Sequence, residues 1–96
     1  MGLAVYVEDQ IHGRSYAEEA GRWLTRVVVE AVPGSVLSGT YPHGDTMFNV
    51  PQLNRISAEF EEILARRPDL KSDVDALLEL FEQVRRMRGY LWVSGD

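Results

Sequence analysis

Two histidines, His12 and His43, and a short run holding Tyr41, His43 and Asp45 are the side chains best able to move a proton or hold a cation. His43 and Asp45 stand two positions apart in a glycine-rich stretch, close enough to act as an acid–base pair or as two metal ligands, and Tyr41 adds a hydroxyl. The pattern stops there. Metal sites carried on helices repeat at spacings such as H-E-x-x-H, and no such spacing occurs. The absence of cysteine excludes disulfides, a thiolate zinc site and a thiol nucleophile. No G-x-S-x-G elbow, Walker A loop or G-x-G-x-x-G turn is present. Gly34, Gly39 and Gly44 are spaced by five with no lysine following, which is no phosphate cradle. The carboxylate pairs Glu18-Glu19, Glu61-Glu62 and Asp73/Asp75 fall where helix surfaces should face water, so a glycosidase-like dyad has no pocket. The expectation is a chain without catalytic chemistry, metal or cofactor. The competing reading is a small-ligand-binding or enzymatic domain built on the central loop from Tyr41, His43, Asp45 and the C-terminal Asp96.

Binding chemistry is better represented. Asp75, Glu79 and Glu82 are four and three apart, which lines them along one helix face. Such a stripe is either a solvated face or a docking surface for a basic protein. Tyr90 and Trp92 alternate with Leu91 and Val93, so the two aromatic rings share one side of a strand. If helices cover only the Leu91/Val93 side, that aromatic side is open, and exposed Trp and Tyr are typical interface anchors. The other arrangement has the first helix covering it, with Trp23 packed there. Arg85, Arg86 and Arg88 sit where a helix C-terminus attracts cations, which accounts for them without a binding role.

These side chains need elements to position them. Ninety-six residues fit one domain. Leu3 to Val7 reads as a strand and Glu8 to Arg14 as a polar turn. Ser15 with Glu18 has capping-box spacing, and Tyr16, Ala20, Trp23, Val27 and Ala31 continue at helical spacing until Pro33-Gly34. Val27 to Val29 favours strand and leaves the last turn open to an extended alternative. Ser35 to Leu37 is a candidate short central strand. Asn49 caps a second helix, with Gln52 three residues on and Phe48 and Leu53 placed as a hydrophobic staple. Its stripe is Leu53, Ile56, Phe60, Ile63 and Leu64. A third helix starts near Asp69 or Ser72, buries Val74, Leu77, Leu78, Phe81 and Val84, and ends at Gly89 as its C′ residue. Tyr90 to Val93 closes the chain as a strand.

The second half carries a resemblance. Asp45-Thr46-x-Phe48-Asn49, the helical hairpin, and the closing Tyr90-Leu91-x-x-x-Gly95-Asp96 resemble a set of small uncharacterised bacterial proteins with a D-T-x-F-N motif and a Y-L-x-x-x-G-D C-terminus. The resemblance spans roughly the last half of the chain. It implies a compact α+β domain and no particular activity.

Acidic residues outnumber basic ones 15 to 10, a net charge of −5, and Lys71 is the single lysine. That balance speaks against nucleic acid, whose binders need a basic face. The N-terminus turns acidic at Glu8-Asp9, and the longest apolar run elsewhere is Val27-Val28-Val29, so neither a secretory segment nor a membrane span is expected. The reading is a single cytoplasmic α+β domain: a small, mostly antiparallel sheet formed by the terminal strands, with three helices, the last two an antiparallel hairpin. Its expected role is a protein-interaction module, in one form an immunity- or antitoxin-like partner of a basic protein. Homo-oligomerisation stays open.

Overall fold

Apolar Leu3, Val5 and Val7 alternate with Ala4, Tyr6 and Glu8, and this period of two builds the first strand, β1 (Leu3–Glu8). The computed structural model describes residues 2–95. After β1 come β2 (Arg14–Ala17), α1 (Ala20–Val28), β3 (Asp45–Phe48), α2 (Val50–Arg66), α3 (Lys71–Met87) and β4 (Tyr90–Gly95). Single 3₁₀ turns lie at Leu37–Gly39 and Pro68–Leu70. The four strands form one antiparallel sheet in the order β2-β1-β4-β3. The terminal strands are central neighbours, with Val5 opposite Val93 and Val7 opposite Leu91. The architecture is α+β, as expected, with three helices among the described residues.

All three helices pack on the same side of this sheet. Val5, Val7, Phe48, Leu91 and Val93 join Leu24 and Val27 of α1, Leu53, Ile56, Phe60 and Ile63 of α2, and Val74, Leu77, Phe81 and Val84 of α3 in one buried cluster. Phe60 stacks on Phe81 across the α2–α3 hairpin with ring centroids 5.7 Å apart. Arg67, at the turn of that hairpin, bonds Asp69 twice (3.0 and 2.8 Å) and reaches Glu30 beyond α1 at 2.8 Å. Asp73, expected on the wet side, is buried and pairs with Arg26 of α1 at 3.2 Å.

The α2 signals act as read. The Asn49 side chain accepts from the Gln52 N–H at 2.9 Å, and the Gln52 side chain accepts from the Asn49 N–H at 2.8 Å. This satisfies two otherwise orphaned donors.

Three expectations are corrected. Ser15 to Glu18 does not open the first helix. Arg14–Ala17 is the edge strand β2, where Ser15 lies opposite Val7 and Tyr16 opposite Tyr6. The helix begins only at Ala20, after β2 has paired with β1, and Gly21 in its first turn lies so close to β1 that a Cβ there would collide with the Leu3 carbonyl oxygen. It ends at Val28, with Val27 helical and buried and Val29 exposed. The central strand is not at Ser35–Leu37. Glu59 of α2 accepts the Val36 and Leu37 N–H groups at 2.9 and 3.0 Å, which holds that segment as a turn. The added strand is β3. Finally, Arg88, not Gly89, takes the left-handed conformation after α3 (φ 52°). Gly89 is needed for another reason, since a Cβ would strike the Glu8 carbonyl oxygen.

Candidate interaction surface

Opposite residues in an antiparallel sheet project to the same side, so the register defines the outer face residue by residue. Tyr16 of β2 faces Tyr6 of β1, Tyr6 faces Trp92 of β4, and Trp92 faces Met47 of β3. Four large side chains therefore cross the whole sheet in one row. On one flank of the row lie Arg14, Glu8 and Tyr90, and on the other Ala4, Ser94 and Asp45. None of these belongs to the buried cluster beneath the helices. Tyr16 and Met47 remain 59% and 45% exposed, while Tyr6, Tyr90 and Trp92 are half-buried. Of the two arrangements open to Tyr90 and Trp92, the structure has the uncovered one. Trp23 instead packs against the core from α1.

The row is ordered by direct contacts. The Tyr6 and Tyr16 rings are tilted at 46° with centroids 5.3 Å apart. The Arg14 guanidinium lies 3.8 Å from the centre of the Trp92 ring, a cation–π contact. Arg14 Nε also donates to Glu8 Oε1 at 2.9 Å, and His12 Nδ1 sits 3.5 Å from Glu8 Oε2. Glu8 was read as part of a polar turn. It is instead the last residue of β1 and only 2% exposed. The Arg14 hydrogen bond holds its carboxyl below the ordinary range against the opposing effect of burial, and His12 assists. The true turn runs from Asp9 to Gly13. Asp9 Oδ1 accepts from the Ile11 and Gly13 N–H groups, and His12 takes a left-handed φ of 66°.

The other expected site residues are dispersed. Asp75, Glu79 and Glu82 are exposed on α3, in the helix layer, so they share no surface with Tyr90 and Trp92. Lys71 pairs with Asp75 at 2.8 Å, and Arg85 and Arg86 approach Glu82 at 3.4 and 3.8 Å. Tyr41 and His43 are exposed, and the Tyr41 ring fills the space a Cβ on Gly44 would need. Asp45 belongs to the sheet's outer face rather than to a loop site. Asp96 lies outside the described residues. Of three clefts of about 370, 140 and 330 Å³, the second is lined in part by Thr40 and Pro42 beside Tyr41, and the linings of the three do not include Tyr41, His43 or Asp45. Among the described residues, no three of His, Asp and Glu cluster as a cation site.

The residues of the C-terminal motifs have structural work. Thr46 Oγ1 accepts the Tyr41 N–H at 2.8 Å, Phe48 is buried, and Asn49 caps α2. Gly95 donates its N–H to the Gly44 carbonyl at 2.8 Å, and a Cβ on it would strike the Pro42 carbonyl. Sequence reasoning missed Tyr6, Arg14, Tyr16 and Met47 as members of the face. The alternation in β1 exposes Tyr6, but the other three require the strand pairing of β2 and β3. No family model, curated protein or solved structure matches the chain. No helix among the described residues is long and apolar enough to cross a membrane.

Proposed function

We propose that the chain is a non-enzymatic protein-interaction module, acting in the cytoplasm, whose docking surface is the helix-free face of the sheet. One observation carries the reading: the row Tyr16–Tyr6–Trp92–Met47 on a face that no helix covers. Rigid aromatic side chains give large contact area at low entropic cost, and interfaces concentrate their binding energy in such residues. The charge of the face favours protein over nucleic acid. Its one arginine, Arg14, is exposed but forms an ion pair with Glu8, and Asp45 adds an exposed negative charge, so the face has no basic excess. Strand-tracking surfaces for nucleic acid combine stacking rings with a basic groove, which this face lacks.

The immunity- or antitoxin-like form, in which Asp75, Glu79 and Glu82 mask a basic protein, has weaker support. Asp75 and Glu82 are engaged by cations of their own helix. A central-loop enzyme is weaker still, since Tyr41 and His43 are exposed and Asp45 lies on the sheet face.

The test is photo-crosslinking. A photoreactive phenylalanine replaces Tyr16 or Met47 on the sheet face, and Glu79 or Ser35 on the helix side. Protein adducts should form from the sheet positions and not from the helix positions. Adducts confined to Glu79 would revive the masking form and sink this one.

A further inference from the structure

The docking reading leaves the partner open, and the outer face carries features that bear on it. Arg14 and Asp45 occupy opposite corners of the face. They are separated by three strand spacings and four residues of register, roughly 14 Å across the strands and roughly 13 Å along them. The midpoint of that diagonal falls between Tyr6 and Trp92, at the centre of the aromatic row. A two-fold axis through this point, lying in the plane of the face and perpendicular to the diagonal, exchanges the two corners. Each Arg14 then meets the Asp45 of a second copy.

The same operation has a consequence for shape. The two offsets are nearly equal, so the strands of the two copies cross at close to a right angle, one of the two standard ways sheets pack. Each aromatic row crosses the other at its centre. Tyr16, 59% exposed at the end of its row, comes to lie over the flank where Ala4 faces Ser94. That pair has the smallest side chains on the face, and it stands opposite the face's most exposed ring. Met47 comes to lie over the Glu8–Tyr90 pair.

We propose that the partner of the outer sheet face is a second copy of this chain, in a two-fold dimer with crossed sheets, paired Arg14–Asp45 contacts at its corners and Tyr16 seated over Ala4 and Ser94. This rests on the reading of that face as a docking surface. The area sets the strength. Two strands of six residues and two of four present roughly 300 Å² in plan, below the ~800 Å² per partner of a standard stable interface. The dimer is therefore weak and concentration-dependent. Two chains of net charge −5 repel at long range, so salt that screens this repulsion leaves the short-range corner pairs in control.

Sedimentation equilibrium of the purified chain from 10 µM to 1 mM, in ~150 mM salt where the Debye length is ~8 Å, tests the proposal. A monomer–dimer equilibrium is expected within this range. Asp45→Arg sets arginine against arginine and Tyr16→Ala removes the ring seated over Ala4 and Ser94, and each should weaken association at least tenfold. Glu79→Arg, on the helix side, should leave it within twofold. Circular dichroism melts confirm that each variant is folded. Wild type that stays monomeric at 1 mM overturns the proposal, as does a dimer indifferent to both Asp45→Arg and Tyr16→Ala. The two readings fail separately. A monomer whose Tyr16 position still crosslinks to a different protein loses the second copy and keeps the docking face. A monomer that crosslinks to nothing loses both.

Discussion

The carboxylate of Glu8 is 2% exposed, and a buried charge without a partner is strongly destabilising. Arg14 answers it from the neighbouring strand and covers Trp92 with the same guanidinium. Because the folded state lowers the Glu8 pKa, the group stabilises the fold at pH values above its ordinary 4.5. That contribution is lost as the pH falls through the lowered value. Glu8→Gln should therefore melt lower than wild type at pH 7 and lose less on acidification from pH 5 to pH 3. Equal losses in melting temperature over that interval would mean that Glu8 is not the source. Asp69, also lowered by its hydrogen bond from Arg67, accounts for part of the acid sensitivity that remains. Arg14→Ala should destabilise more than Glu8→Gln, since it leaves the carboxylate only the long 3.5 Å contact with His12, while the glutamine removes the charge. Other residues were legible directly. The Asn49 and Gln52 spacing announced a capping box, and Asn49→Ala should cost about 0.5–2 kcal/mol in denaturant titrations. Glu8 was not legible, because an acid after a strand signals a turn unless the arginine that answers it is known to be opposite.

Elements whose signal is local were readable, and those that depend on a neighbour were not. α2 carries its own cap and stripe, α3 its stripe, and β4 its alternation. β2 is a four-residue edge strand, exposed or half-buried throughout, and nothing in Arg14–Ala17 marks it except its pairing with β1. The Ser15–Glu18 spacing pointed to a helix start, and the pairing of Tyr16 with Tyr6 prevailed over it. β3 did carry a faint signal: Thr46 and Phe48 point inward while Asp45 and Met47 are exposed. The start of α1 shows the same dependence. Glycine in a helix costs about 1 kcal/mol relative to alanine, so propensity alone predicts that Gly21→Ala stabilises. The contact between Gly21 and the Leu3 carbonyl reverses the sign. Forcing a methyl into that close-packed seam should cost about 1–3 kcal/mol, and the net change should be destabilising in urea titration. A stabilised variant would show that α1 can lift from β1 freely. On the same helix-covered face of the sheet, Leu91→Ala removes a side chain only 1% exposed and should cost about 2–5 kcal/mol.

At the scale of the whole molecule, one buried cluster draws side chains from β1, β3, β4 and all three helices. Sheet and helices share that cluster, so neither layer can open without exposing the other, and unfolding should be a single cooperative step. Two tryptophans allow the layers to be watched separately. Trp23 packs against the core from α1, and Trp92 lies on the outer sheet face beneath Arg14. In Trp23→Phe the fluorescence reports only the outer sheet, and in Trp92→Phe only the helix layer. Each variant should show a urea transition that superimposes on its own far-ultraviolet circular dichroism, with an m value of about 1–3 kcal/mol/M. The measurement belongs at low micromolar concentration, where a weak dimer has dissociated and its surface cannot add to the slope. The two variants are free to differ in midpoint, because Trp92→Phe also loses the cation–π contact with Arg14. Within one variant, however, the two probes must agree. If Trp92 fluorescence changes at a lower urea concentration than the circular dichroism of the same protein, the β2–β1–β4 surface melts ahead of the core. The shared cluster would then not be what holds the outer face together.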